Sequence, residues 1–241
     1  MPTTWYQAQV TEIINVSSKI KRFILSIDDN EVFLFEAGQF ITFDLPISEK
    51  RLNRWRSYSI ASRPDGTNKI ELCIVHLEGG GGSAYFFTEV KIGTLLKFKG
   101  PDGSFTLKQP IDYDLVMLCT GTGIAPFKSM LDHIFFHNIT HKNIHLIFGT
   151  RKETDIIYRQ ELQTLASEQE SLTYDVVLSQ EPLWHGKKGH IHQVYLEQYG
   201  DTRPDVKFMI CGWSKMVDEA VANLLVKCNY DRTQIHFELY G

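Results

Sequence analysis

Clustered cysteine is the first thing missing. The 241-residue chain holds four cysteines, Cys73, Cys119, Cys211 and Cys228, and no two stand close enough in sequence to form a metal knuckle. An iron–sulfur cluster needs gathered thiolates, so any redox chemistry here proceeds without a cluster on this chain. Each cysteine lies among apolar neighbours, the setting of a buried thiol. Excess positive charge is missing too: 25 Lys and Arg face 29 Asp and Glu, a formal net charge of −4. That balance excludes bulk nucleic-acid binding, which needs a basic face, and a polybasic membrane tether. No apolar run approaches the roughly 18 residues of a membrane span. Met1-Pro2-Thr3-Thr4-Trp5 lacks the apolar stretch of a signal peptide, which makes the cytoplasm the expected location. Repeats and low-complexity tracts are absent, Gly79–Gly82 apart.

What is present is an ordinary globular composition, 43% hydrophobic and 22% charged. At about 150 residues per domain the length suits one large domain or two modest ones. The pattern changes near Pro110. Before it, Gln7–Ile14, Ile20–Ser26, Gln39–Leu45, Arg56–Ala61, Lys69–Val75 and Leu95–Lys99 read as short strands separated by turn residues, which predicts a small antiparallel β-barrel. After it, the apolar runs Leu115–Cys119, Ile144–Phe148, Thr173–Leu178, Lys207–Cys211 and Ile235–Leu239 alternate with stretches of helical period. These are Ala125–Phe136, Asp155–Ala166, Ile191–Tyr199 and Lys215–Cys228. Strands alternating with helices predict a five-stranded parallel α/β sheet. The expected domains are therefore 1–110 and 111–241.

Three features offer chemistry. Thr120-Gly121-Thr122-Gly123-Ile124-Ala125-Pro126 joins a strand to a helix, with proline where the dinucleotide fingerprint has its third glycine. Glycines admit a phosphate close to the backbone, and a helix N-terminus offers free N–H groups; a tight structural turn would read the same. Gly79-Gly80-Gly81-Gly82-Ser83 suits a flexible loop or a backbone nest for a diphosphate, with the Ser83 hydroxyl as an extra donor. In Arg56-Ser57-Tyr58-Ser59, strand alternation puts Arg56 and Tyr58 on one face. They can serve as a guanidinium fork for phosphate and an aromatic plane for a flat ring, or simply as a surface arginine beside a half-buried tyrosine.

Taken in order, Arg56-Ser57-Tyr58-Ser59-Ile60-Ala61-Ser62, Gly82-Ser83, Gly100-Pro101-Asp102-Gly103-Ser104-Phe105, Gly121-Thr122-Gly123-Ile124-Ala125-Pro126-Phe127, Cys211-Gly212 and Glu238-Leu239-Tyr240 resemble the motifs of the ferredoxin–NADP reductase family across nearly the whole chain. The resemblance implies a flavin-binding barrel, a nicotinamide-nucleotide domain, and hydride transfer between NAD(P)H and bound FAD. Electrons would then pass singly to ferredoxin, flavodoxin or another one-electron acceptor. Arg56 would hold the flavin diphosphate, Ser57 would belong to the cofactor-binding set, Tyr58 would stack on the flavin ring, and Ser59 would bond near its reactive nitrogen. Cys73, Ile74 and Val75 would line the ring by their backbone, while Gly81, Gly82 and Ser83 cradle the diphosphate. Gly121, Thr122 and Gly123 would take the diphosphate of NADPH or NADH. Cys211 and Glu238 would stand beside the nicotinamide, and Tyr240 would cover the flavin until nicotinamide displaces it. An oxygenase reductase component or a free-flavin reductase using NADH is the alternative within the same resemblance.

Departures from the family pattern shape finer expectations. NADP-preferring relatives carry a Ser-Arg pair for the 2′-phosphate; here Ser179-Gln180 stands in its place, leaving Arg151, Lys152, Lys187 and Lys188 as the available charge. The loop from His76 to Ser83 is too short for the adenine-stacking aromatic of plant-type members, although FAD rather than FMN remains the expected flavin. Gly241 follows the tyrosine on which those members end. His133, His137, His141 and His145 recur every four residues, but the predicted helix ends near His137, so no metal site is expected.

Overall fold

The computed structural model describes residues 4–28 and 32–240. Gly241, which follows Tyr240 in the sequence, lies outside them. By internal contacts the chain forms two units. One runs to Thr106 and includes Ala125–His137; the other takes Leu107–Ile124 and everything from Asn138 onward.

In the first unit β1 (Trp5–Ser17), β2 (Ile20–Ile27), β3 (Phe40–Asp44), β4 (Trp55–Ser59), β5 (Lys69–Val75) and β6 (Leu95–Asp102) form an antiparallel sheet in the order β4-β3-β6-β1-β2-β5. The period-two pattern fixes which face is buried: Ala8 and Val10, Phe23 and Leu25, Ile70 and Leu72, and Leu96 and Phe98 all turn inward. The two outermost strands meet through the Ile60–Leu72 bridge, next to which Ala61 N–H donates to the Glu71 carbonyl at 2.8 Å. This rung closes the sheet into the expected barrel. Four-residue α1 (Arg51–Arg54) precedes β4, and α2 (Gly81–Thr88) pushes Phe86 into the interior. There its ring stands edge-on to Phe23, Phe43 and Tyr58 at 5.2–5.4 Å. Truncating such a residue costs about 3–5 kcal/mol.

The unit is completed by α3 (Ile124–Phe136). Phe127 packs on Phe105 at 5.7 Å, the Ser129 hydroxyl donates to the Ser62 carbonyl at 2.7 Å, and the Arg63 guanidinium lies 3.8 Å above the Phe136 ring.

The second unit is a wholly parallel sheet of β7 (Asp114–Thr120), β8 (Ile144–Thr150), β9 (Leu172–Leu178), β10 (Lys187–Lys188), β11 (Val206–Trp213) and β12 (Ile235–Tyr240), ordered β10-β9-β8-β7-β11-β12. It has six strands against the five expected. The extra one, β10, spans two lysines and pairs with Val177 and Leu178, too short to leave a periodic signal. The helices are α4 (Arg159–Glu168), α5 (Ile191–Tyr199) and α6 (Ser214–Ala222). The helix expected from Asp155 starts later because Tyr158 adopts a left-handed conformation, φ 57°. The one expected to reach Cys228 widens after Ala222 into a π-turn, Asn223–Lys227, where buried Asn223 gives its amide to the Tyr195 hydroxyl at 2.9 Å. The chain leaves β7 toward β8 and returns on the opposite side as β11. Such a reversal opens a crevice at the carboxyl ends of the two strands, the usual ligand site of parallel sheets. No helix among the described residues is long and apolar enough to cross a membrane.

Candidate functional site

Each unit carries one half of the expected chemistry. In the barrel, the α2 N-terminus is capped by no side chain, and its first internal bond runs from Ala84 N–H to the Gly80 carbonyl. The N–H groups of Gly81, Gly82 and Ser83 thus lack helical acceptors, which makes this end receptive to an anion. A Cβ on Gly82 would sit 2.6 Å from Arg56 Cγ, so the arginine stem passes directly over the glycine. Its Nη1 donates to the Trp55 carbonyl at 2.7 Å, which fixes the fork and leaves further donors for a phosphate. The Ser83 hydroxyl is used differently from the sequence expectation. It accepts from Leu77 N–H at 3.0 Å and donates to the Gly80 carbonyl at 3.1 Å, so it closes its own loop and leaves its backbone N–H for a ligand.

Arg56, Ser57, Tyr58 and Ser59 all lie on β4, opposite Phe43, Thr42, Ile41 and Phe40. Ser57 is exposed and shares a 2.9 Å hydrogen bond with Thr42, whereas Ser59 is buried. Burial pushes the Tyr58 phenol up to about 12, against the opposing pull of Arg56, so it stays a neutral ring with a hydroxyl. Cys73, Ile74 and Val75 pair with Arg22, Lys21 and Ile20 of β2 on one edge. Past the Ile60–Leu72 bridge, their other edge has no ladder partner among the described residues. Burial raises the Cys73 thiol, which leaves its backbone as the part able to contact a ligand. A one-sided strand edge, a half-buried aromatic plane and a diphosphate cradle fit a flavin dinucleotide.

In the parallel sheet, Gly121, Thr122 and Gly123 form a 3-10 turn at the carboxyl end of β7. Gly121 takes φ +55°, and a Cβ on Gly123 would run into the Cys211 carbonyl. Gly212, at φ +148°, crosses β7 so closely that its Cβ would lie 2.6 Å from Thr120 Oγ1. That hydroxyl is itself buried, with no hydrogen-bond partner among the described residues. The two strand ends therefore meet backbone to backbone at the crevice. Cys211 is fully buried, with Cys119 and Glu238 beside it in register on β7 and β12. Burial and then the Glu238 charge raise its thiol well above the usual range, opposed by a hydrogen bond with Tyr240. It is therefore a neutral thiol and not a nucleophilic thiolate. Glu238 and Tyr240 are both half-buried.

Arg151 follows β8, and the turn after β9 is tied to it: Gln180 N–H donates to the Arg151 carbonyl at 2.9 Å and Ser179 N–H to that of Thr150 at 3.1 Å. Of the four expected cations, Lys187 lies 3.3 Å from the Asp175 carboxylate and Lys188 donates to the Pro182 carbonyl at 2.8 Å. Arg151 and Lys152 are exposed, and no partner of either side chain is found among the described residues. The histidine series disperses because Asn138, at φ 50°, ends the helical path. His133 and His137 touch at 4.7 Å, His141 bonds Ser171, and His145 bonds Tyr199 and Asp175. Among the described residues no three metal-ligating side chains gather. Sequence reasoning passed over Trp213, an exposed indole at the end of β11, whose only signal was its place after Cys211-Gly212.

Comparison with known proteins gives two family models: an oxidoreductase FAD-binding domain over residues 7–107 and an oxidoreductase NAD-binding domain over 117–222. Ferredoxin–NADP reductase B of Sorangium cellulosum is 32% identical over 98% of this chain and 97% of its own length. The reductase component of phenol 2-monooxygenase from Pseudomonas sp. strain CF600 is 25% identical over 93% of this chain, which spans 62% of that relative's length. The crystal structure of a ferredoxin NADP+ reductase from Neisseria gonorrhoeae with bound FAD and NADP superposes with a TM-score of 0.81, at 25% identity and 99% coverage of both chains.

Proposed function

Because this chain belongs to the ferredoxin–NADP reductase family of FAD-dependent NAD(P)H oxidoreductases, we propose that it is an NADPH-driven reductase of a one-electron carrier, ferredoxin or flavodoxin. The observation that carries the flavin part of the reading is the cradle at Gly81–Ser83 under the Arg56 stem. Bound FAD supplies the exchange of a nicotinamide hydride for single electrons. Arg56 and the backbone N–H groups of Gly81, Gly82 and Ser83 hold its diphosphate, Tyr58 presents a flat face, and the free edge of Cys73–Val75 meets the ring. The Gly121–Gly123 turn holds the coenzyme diphosphate. Cys211 would pack against the nicotinamide, Glu238 would orient its carboxamide and relay a proton, and Ser59 would bond near the reactive nitrogen of the flavin. Catalysis on this reading is mainly positioning.

Arg151 is the residue proposed to distinguish NADPH from NADH, since its backbone is tied to the Ser179-Gln180 turn and its exposed side chain has no partner among the described residues. Support for a ferredoxin or flavodoxin acceptor comes from the near full-length match to a ferredoxin–NADP reductase. A second reading, an NADH-using oxygenase reductase component or free-flavin reductase, is favoured by Gln180 and by the engagement of Lys187 and Lys188 elsewhere. The test is anaerobic bleaching of the purified yellow protein by NADPH and by NADH, followed by reduction of ferredoxin or flavodoxin. A colourless protein that takes up no added flavin would overturn the enzyme reading. A kcat/KM favouring NADH would move the assignment to the second.

A further inference from the structure

Trp213 stands out as a large aromatic left 44% exposed at the carboxyl end of a buried strand. A single exposed indole is commonplace on a soluble protein; the position of its nitrogen is what matters here. Nε1 lies 3.7 Å from the position a Cβ on Gly121 would occupy, over the turn at the end of β7. Among the described residues no hydrogen-bond partner of that nitrogen is found. An indole nitrogen only donates, so a donor fixed over a glycine turn points to an acceptor brought by a ligand.

The surroundings specify that ligand. The turn closes with Ile124 N–H on the Gly121 and Thr122 carbonyls, so the N–H groups of Gly121, Thr122 and Gly123 have no acceptor within it. Nine-residue α6 starts at Ser214 with no side-chain cap, so a second uncapped helix start follows Trp213 directly. The indole's base is anchored on the neighbouring strand: Trp213 pairs with Tyr240, and the Ser214 hydroxyl donates to the Tyr240 carbonyl at 3.2 Å. Donors converge on the crevice between β7 and β11, and no carboxylate lies in the Gly121–Gly123 or Gly212–Ser214 segments to compete with an anion.

We propose that Trp213 is a positioning residue for the nicotinamide nucleotide, its indole N–H donating to a diphosphate oxygen held over the Gly121–Gly123 turn. The assignment rests on the reading above, in which this turn takes the coenzyme. The Trp213 ring then holds the diphosphate from the β11 side while the turn's N–H groups hold it from below.

The test compares Trp213→Phe, which keeps an aromatic ring and removes the N–H, with Trp213→His, which retains a ring donor. In W213F the KM for the reducing coenzyme and the Ki of inorganic pyrophosphate as competitor should both rise about tenfold, with kcat within about twofold. W213H should stay within about threefold of the wild type in both constants. In the wild-type holoenzyme, the indole N–H resonance that disappears in W213F should shift when pyrophosphate is added. Equal constants in W213F and wild type, equal losses in W213F and W213H, or an unmoved resonance would each overturn the proposal. A wild type that neither NADPH nor NADH reduces would instead overturn the underlying reading.

Discussion

At Gly82 the missing Cβ leaves room for a side chain: the Arg56 stem passes 2.6 Å from where it would be. At Gly123 it leaves room for backbone, the Cys211 carbonyl at the end of the neighbouring strand. Both glycines sit in turns at helix N-termini that look alike in sequence. In the barrel the glycine makes room for the stem of a charged arm, whose tip is held by a hydrogen bond to the Trp55 carbonyl but whose rotamer can still change. In the parallel sheet it lets two strands close on each other, and a strand cannot swing. One turn is built for its ligand and the other is first a joint of the fold.

The strongest way to break this comparison is Gly123→Ala. Overpacking against backbone should cost about 3 kcal/mol, seen as a Tm drop of roughly 6–12 °C; a Tm equal to wild type would remove the distinction. Next come Ser59→Ala and Glu238→Gln, one in each unit. Each should slow flavin reduction in stopped flow about a hundredfold with the flavin still bound, and unchanged rates in both would end their assignment. Gly82→Ala should lower the Tm of the flavin-free protein less than Gly123→Ala does, while weakening FAD retention about tenfold through the displaced arginine. Arg151→Ala should lower the NADPH-to-NADH ratio of kcat/KM about fivefold, without touching flavin content.

The smallest effect concerns acid. Burial raises the Asp175 carboxyl, but hydrogen bonds with His145 and Lys187 outweigh it and hold its pKa below the usual range. A depressed folded-state pKa contributes stability that is complete above the unfolded value, about 3.9, and lost as pH falls through the lower folded one. Tm should therefore fall a few degrees less in Asp175→Asn than in wild type on acidification to about pH 3. Parallel curves would show that this buried set adds no acid sensitivity.

Strand positions were legible because alternation and apolar runs record burial directly. Lys69–Val75 has the same limits in sequence and structure, and the buried Phe23 and Leu25 follow from the period. The Asp155 helix was misplaced because a single left-handed residue, Tyr158, carries no compositional warning. At the candidate site, residue types pointed to phosphate and flat-ring binding, but directions did not. A serine after four glycines reads as a donor to an outside ligand, and only the folded loop shows its hydroxyl bonded to Leu77 and Gly80. Trp213 was missed for the same reason: its interest lies in where one nitrogen sits, over the Gly121 turn.

The membership of α3 bears on how the chain can be dissected. Residues 125–137 belong by contact with the barrel, though the sequence reaches them only after β7. A fragment ending at residue 110 would strip Phe105 of Phe127 and the Ser62 carbonyl of Ser129. No single cut separates the two units: a gene for either half alone must splice two stretches of chain.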